Sequence, residues 1–341
     1  MKHVFIINSH TTYLTVMGTL DYLKLGDKDV LLILVRNYTN KYICKSIETI
    51  DASLLSYESE KVFNRRNFLP APKKRFIEKV EQFVDEVIGT SFHLYAPHLA
   101  HPLWTILYTN KQCLMFSYLQ EGLVPFTSAY VVKTPLKGLV ENYFYDKVTS
   151  GRVWFYRPWY LKDHIDDDKG LDAFAINDKF FKFLPAKTTI IHWPLPEQDI
   201  NVEFESEHKI FVYDAYVAHH IMESNDYLEV CKELIDEEAS ANNYLKFHPG
   251  QSKREIEAII QYFEMRKLHY NILDNSIPFE YIIMTKKNLR LTGYGSTLLF
   301  LAHDYGHQVS CKDDRLLKYK LYRRFRRTCG FMSFNEYINH K

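Results

Sequence analysis

Two short segments in the C-terminal third carry residue types that could hold a phosphate: KFHPGQ at 246–251 and LTGYGSTLLFLAHDYG at 291–306. The second reads as a strand, a glycine-containing turn, and then Ser296-Thr297 opening an apolar helix. Backbone N–H groups at a helix N-terminus, backed by about half a positive charge of macrodipole, form an anion site. Cap hydroxyls can add contacts to a phosphate oxygen, and Gly293 and Gly295 let the backbone approach closely. In the first segment, His248 follows the apolar run Tyr244, Leu245, Phe247, where Pro249 and Gly250 stop a strand. Ligands of open α/β sheets bind outside the carboxyl ends of the strands. His248, able to donate a hydrogen bond, and Ser296-Thr297 thus predict one phosphate held from two sides.

The elements that must position these residues form two alternating series. Apolar runs at His3–Asn8, Asp29–Val35, Phe92–Ala96 and Cys113–Tyr118 read as buried parallel strands. Helical periodicity at Thr12–Lys24, Lys73–Ile88 and Pro102–Thr109 separates them, and Thr188–His192 reads as a last strand. Ser128–Asp178 is less regular and includes the aromatic run VWFYRPWY. The Pro-broken polar stretch 196–208 reads as a linker. A second series then alternates strands at Lys209–Tyr213, Tyr244–Phe247, Tyr270–Leu273, Leu289–Thr292 and Gln308–Ser310 with helices at Ile221–Glu238, Lys253–Lys267, Pro278–Met284 and Ser296–His303. Asp314–Arg327 reads as one closing basic helix. The division is therefore 1–195, linker 196–208, 209–312, and a basic helical segment 313–341. The predicted class is α/β, with two Rossmann-like domains facing each other across a cleft, the GT-B layout.

At 341 residues the chain suits two domains. Its 46% hydrophobic and 25% charged content is that of a globular protein, and its net charge of +1 gives no drive toward nucleic acid. Five cysteines without a CxxC fit neither a disulfide framework nor a zinc site, and suit a reducing cytoplasm. No run reaches the roughly 18 apolar residues of a membrane helix. His93, His98 and His101 lack tight ligand spacing, and Asp166–Asp168 reads as a loop, so no metal is predicted.

Three motifs carry a resemblance to a known group. Gln120-Glu121-Gly122 after an N-domain strand, His248-Pro249, and Ser296-Thr297 opening a late helix resemble, in order and context, the bacterial sialyltransferases and polysialyltransferases. The first motif departs from the usual two acids, with Gln120 in the first place. The resemblance implies the GT-B fold, a CMP-activated nonulosonic acid as donor, and Glu121 as the base that takes the acceptor's proton. His248 is implied at the leaving phosphate, and Pro249, Gly250, Gly293, Gly295, Ser296 and Thr297 at the donor. Glu280, in Ile277-Pro278-Phe279-Glu280, resembles the P-x-E element before the last motif and is implied at the ribose hydroxyls; a dipole-favoured first-turn Glu is the plain alternative. Asn8, Ser9 and His10, where the first strand meets its loop, are expected to face the acceptor.

The expected activity is inverting transfer of sialic acid, or a related sugar acid, to a hydroxyl of a cell-surface glycan such as lipooligosaccharide or capsule. No cofactor or metal is expected. The alternatives are a GT-B transferase using a CMP-Kdo or UDP-sugar donor, and a non-catalytic nucleotide-binding Rossmann-like protein. The partners expected are the CMP-sugar and a glycan or glycolipid acceptor, with a homodimer left open. The basic run Lys318–Arg327, KYKLYRRFRR, is either a solvated face or a patch holding a cytoplasmic protein against the inner membrane surface.

Overall fold

The computed structural model describes residues 1–64, 69–122, 143, 145–153, 171–181, 188–196, 200–329 and 332–339. Most of Ser128–Asp178, including the acidic run Asp166–Asp168, lies outside the described residues, as do linker residues 197–199. The chain divides into two compact units, Met1–Thr39 with Ile43–Pro194, and Asn40–Tyr42 with Leu195–Lys341.

The first unit holds a seven-stranded sheet: β1 (Lys2–Ile7), β2 (Val30–Leu34), β3 (Glu48–Asp51), β4 (Phe92–Ala96), β5 (Cys113–Leu119), β6 (Leu171–Ala175) and β7 (Thr188–Ile190). The order is β3-β2-β1-β4-β5-β6-β7, and every pairing is parallel. The chain thus winds outward both ways from the junction of β1 and β4. The connecting helices are α1 (His10–Leu23), α2 (Ser53–Val62), α3 (Pro70–Phe83) and α4 (Pro102–Tyr108). Val4, Ile6, Leu31, Ile33, Leu94 and Phe116 from the strands pack with Leu103, Trp104 and Leu107 from α4 in one buried cluster. Strands covered on both faces must be apolar throughout, which is why β1, β2 and β4 stand out in the sequence.

Three elements of this unit differ from the sequence reading. β3 is a four-residue edge strand, ETID, with mostly exposed side chains. The buried set of α2 is Ser53, Leu55, Ser56 and Ser59, so its inward face carries hydroxyls where an apolar stripe would be recognised. β6 lies within the stretch read as irregular, and its buried run is only Ala173, Phe174 and Ala175.

The second unit holds β8 (His208–Val212), β9 (Asn242–Lys246), β10 (Tyr270–Ile272), β11 (Arg290–Gly293) and β12 (Gln308–Cys311), in the order β10-β9-β8-β11-β12. All pairings are again parallel, and the winding reverses between β8 and β11. Its helices are α5 (Ser224–Glu238), α6 (Lys253–Met265), α7 (Phe279–Thr285) and α8 (Thr297–Asp304). A reciprocal Ser252–Glu255 capping box fixes the start of α6. Both units are α/β with Rossmann-like winding.

The single basic helix predicted over Asp314–Arg327 is two pieces, a 3₁₀ turn at Asp313–Lys318 and the helix α9 (Lys320–Cys329), followed by α10 (Phe334–Asn339). Tyr319 between them is extended. The cause is tertiary: Lys312 and Arg315 bind Glu237, Lys318 binds Glu233, and Leu316 is fully buried.

Gly293 is required by packing. A Cβ there would lie 2.5 Å from the Val212 carbonyl oxygen on the neighbouring β8. Gly293→Ala is expected to destabilise the second unit by about 1–3 kcal/mol through overpacking. Denaturant unfolding checks this, and an unchanged midpoint would contradict it.

Candidate functional site

In the first unit, four adjacent strands in sheet order, β2, β1, β4 and β5, each deliver a polar residue just beyond their carboxyl ends. These residues are Arg36, Asn8, His98 and Glu121, and they converge. Asn8 Nδ2 donates to Glu121 Oε1 at 2.5 Å. Arg36 Nη1 lies 3.8 Å from that oxygen, and His98 Nε2 lies 3.6 Å from Oε2. Only 18% of the Glu121 side chain is accessible. Burial pushes its pKa above the ordinary glutamate value, against the opposing pull of Arg36 and the Asn8 hydrogen bond. A carboxylate so placed is a stronger proton acceptor than an exposed one, and is still held near ionisation by its neighbours.

The supports around Glu121 are built from the strand ends. Thr12 Oγ1 donates to Asn8 Oδ1 at 2.8 Å, which turns the amide so that its N–H₂ faces the carboxylate. Ser9 caps α1, accepting from the Thr12 N–H at 3.2 Å. Gln120 is buried and tied to β6: its N–H donates to the Phe174 carbonyl at 3.0 Å, and its Oε1 accepts from the Ile176 N–H at 2.9 Å. The Gln at the place of the usual first acid is thus a strut beneath Glu121. Ala100 N–H donates to His98 Nδ1 at 3.1 Å, so the neutral ring carries its proton on Nε2, toward Glu121. Burial, with Arg36 and His101 nearby, lowers the His98 pKa well below the usual histidine value and keeps the ring neutral. Arg36 and Asn37 both have left-handed backbone, φ 58° and 53°, strain of the kind that gathers at functional sites. The guanidinium stands 6.0 Å from the Trp104 ring centre, within cation–π range.

Of the residues expected to face an acceptor, the structure sets Asn8 directly on Glu121 and gives Ser9 to the helix cap. His10 Nδ1 pairs with the Tyr38 hydroxyl at 3.0 Å. The other histidines of this region have other partners: His93 bonds Ser117 Oγ at 2.9 Å, and His101 Nε2 lies 3.2 Å from both Ser56 Oγ and Glu60 Oε1. Among the described residues no group of three or more His, Cys, Asp or Glu is arranged to hold a metal.

In the second unit, His248 follows β9 and Ser296 follows β11, the strands on either side of β8. The Gly250 N–H donates to His248 Nδ1 at 2.9 Å, leaving the ring proton on Nε2 in the neutral form. Gly250 is also where a side chain would crowd this ring, since a Cβ would lie 3.1 Å from Nδ1. Gln251 holds the loop: its Oε1 accepts from the His248 N–H at 2.8 Å and its Nε2 donates to the Tyr227 hydroxyl at 3.2 Å. Tyr227 in turn donates to the Asp214 carbonyl, just past β8, at 2.7 Å. The hydroxyl of Ser296, at the N-cap of α8, makes no capping bond, unlike Ser9 and Ser252.

Glu280 sits in the first turn of α7, 6% exposed. It acts on Lys246, at the end of β9, whose ammonium burial brings down to about 8 while Glu280 and Asp274 hold it up. Lys246 also donates to Asn275 Oδ1. Arg36, His98, Lys246 and Gln251 are thus candidate site residues to which sequence reasoning assigned no role. One signal could have found them all: each lies at or just beyond the carboxyl end of a parallel strand, the edge where α/β sheets bind ligands.

Residues 169–310 match the family model of alpha-2,8-polysialyltransferases. No curated protein matches significantly. Among solved structures, the chain is similar to an alpha/beta-galactoside alpha-2,3-sialyltransferase from the luminous marine bacterium Photobacterium phosphoreum, at 10% identity over 98% of both chains with a TM-score of 0.46. It is also similar to a spinosyn rhamnosyltransferase complexed with thymidine diphosphate, at 9% identity over 100% of this chain and 89% of that one, with a TM-score of 0.49. His248-Pro249 and Ser296-Thr297 fall inside the matched stretch 169–310 and Gln120-Glu121-Gly122 lies ahead of it, and the chain is a sialyltransferase-like glycosyltransferase.

Proposed function

We propose that the protein transfers sialic acid, or a related nonulosonic acid, from a CMP-sugar to a hydroxyl of a cell-surface glycan such as lipooligosaccharide or capsule, in the bacterial cytoplasm. The observation that carries this reading is Glu121, a carboxylate held by Asn8 with its pKa raised by burial, in a chain whose later part matches polysialyltransferases.

In this mechanism the acceptor oxygen attacks the anomeric carbon as Glu121 takes its proton. The bond from that carbon to the phosphate oxygen breaks on the opposite face, so configuration inverts. The departing CMP phosphate gains charge, which in this reading the His248 Nε2–H, the Ser296 hydroxyl and the first N–H groups of α8 stabilise. Pro249 and Gly250 shape the His248 turn, Gly295 and Thr297 the approach to α8, and Glu280 accepts from the ribose hydroxyls. Glu121 and these donors together supply the base and the charge stabilisation, so the reading includes no metal.

Thermal unfolding in excess EDTA tests it. CMP at a hundredfold its dissociation constant should stabilise the fold by about 2.7 kcal/mol, a shift of a few degrees. A shift with UDP and none with millimolar CMP would overturn the donor assignment. Transfer lost in EDTA and restored by magnesium or manganese would overturn the metal-free mechanism.

A further inference from the structure

The cations of the C-terminal segment fall into two sets. Lys312 and Arg315 pair with Glu237, Lys318 pairs with Glu233, and Arg326 pairs with Glu336. Those charges are neutralised within the second unit and fasten the segment to α5 and α10. The other set is Lys320, Arg323, Arg324 and Arg327, all on α9 and all exposed. Their spacing of i, i+3, i+4 and i+7 puts them on one stripe of the helix. Arg323 donates to the carbonyls of Leu317 and Lys318, and among the described residues no carboxylate meets any of the four. The opposite side of the helix carries the buried Tyr322, which packs into the unit's core.

Among the described residues this row of four charges has no carboxylate partner, so ion pairing does not account for it, although Arg323 also ties α9 to the turn before it. We propose that this stripe of α9 is a docking surface for an anionic lipid bilayer. The charge complement must be polyanionic, and the site is the outer face of a helix, with Leu317, 36% exposed, alongside. A convex cationic row with an apolar neighbour suits a planar array of mobile phosphate headgroups, which can gather under the row while the apolar side chain settles at their level. The surface concerns location and stands apart from the donor and acceptor chemistry proposed above.

The full chain is sedimented with phosphatidylcholine vesicles, with and without phosphatidylglycerol. Binding is expected only with phosphatidylglycerol, and should fall away as salt shortens the screening length from about 10 Å at 0.1 M to about 3 Å at 1 M. Replacing Lys320, Arg323, Arg324 and Arg327 together by Gln should weaken binding on the order of 10²–10³-fold, given the usual contribution per cation. The matching Arg→Lys variant should retain it. Arg315→Gln with Lys318→Gln removes two cations that are already neutralised and should change binding little. Unaltered melting of the fourfold variant shows that the fold is kept. The proposal fails if the fourfold variant binds as the wild type does, if neutral vesicles bind equally, or if only a soluble anionic glycan binds through the stripe. These outcomes do not depend on whether CMP binds.

Discussion

Glu121→Gln should lower transfer by roughly 10²–10⁴-fold, the usual contribution of a positioned general base. The amide keeps the size of the side chain and can still meet Asn8, but it cannot take a proton. Nucleotide binding should be nearly unchanged, because no donor residue contributes to the cluster of Asn8, Arg36 and His98 around it. The wild-type rate should rise with pH as Glu121 ionises. Since burial raises that pKa, the acid limb should lie above the ordinary glutamate range, and it should vanish in Glu121→Gln. Steady-state rates across pH, beside CMP titrations, check both parts. Near-normal turnover, or a parallel loss of CMP binding, would sink the assignment, and His10 would be the next candidate on this face.

His248→Ala should lower kcat by roughly 10²–10³-fold at saturating donor, the cost of removing one donor from a developing anion. The Gly250 N–H on Nδ1 leaves the ring proton of the neutral form on Nε2, and if that N–H meets the leaving phosphate its contribution should appear at the transition state more than in ground-state affinity. His248→Gln, which can still donate one hydrogen bond, should recover part of the rate. Equal losses in kcat/KM with kcat intact would mean that His248 only binds the nucleotide. An unchanged rate would remove it from the chemistry.

The fold was readable where burial made it so. The continuous apolar runs of β1, β2, β4 and β5 exist because parallel strands are covered on both faces, and their boundaries follow the sequence to within a residue or two. β3, α2 and β6 were hidden because an exposed edge, a serine-lined face and a three-residue buried run carry no periodic apolar signal. The break at Tyr319 depends on ion pairs to α5, which no local pattern can encode. In the site, Glu121, His248 and Ser296 were legible because glycine, proline or a helix start marks them. Arg36 and His98 have no such marker. Their place on Glu121 comes from the order β2-β1-β4-β5, a property of topology rather than of spacing along the chain.

The fixing of Gln120 has a consequence for how acceptors are told apart. Gln120, the residue before the proposed base, is bonded to Phe174 in β6 through its backbone and to Ile176 just past it through its side chain, so Glu121 hangs from a fixed strand end and not from a loop that must fold around a guest. If Glu121 is the base, its position is set before any sugar arrives, and the ordering penalty of reaching a near-attack arrangement falls on the incoming hydroxyl. An enzyme with such a base would not reject a wrong acceptor by failing to order that carboxylate. It must discriminate by how well the acceptor's own shape and charge present that hydroxyl, so a smaller or looser acceptor should be tolerated and served slowly.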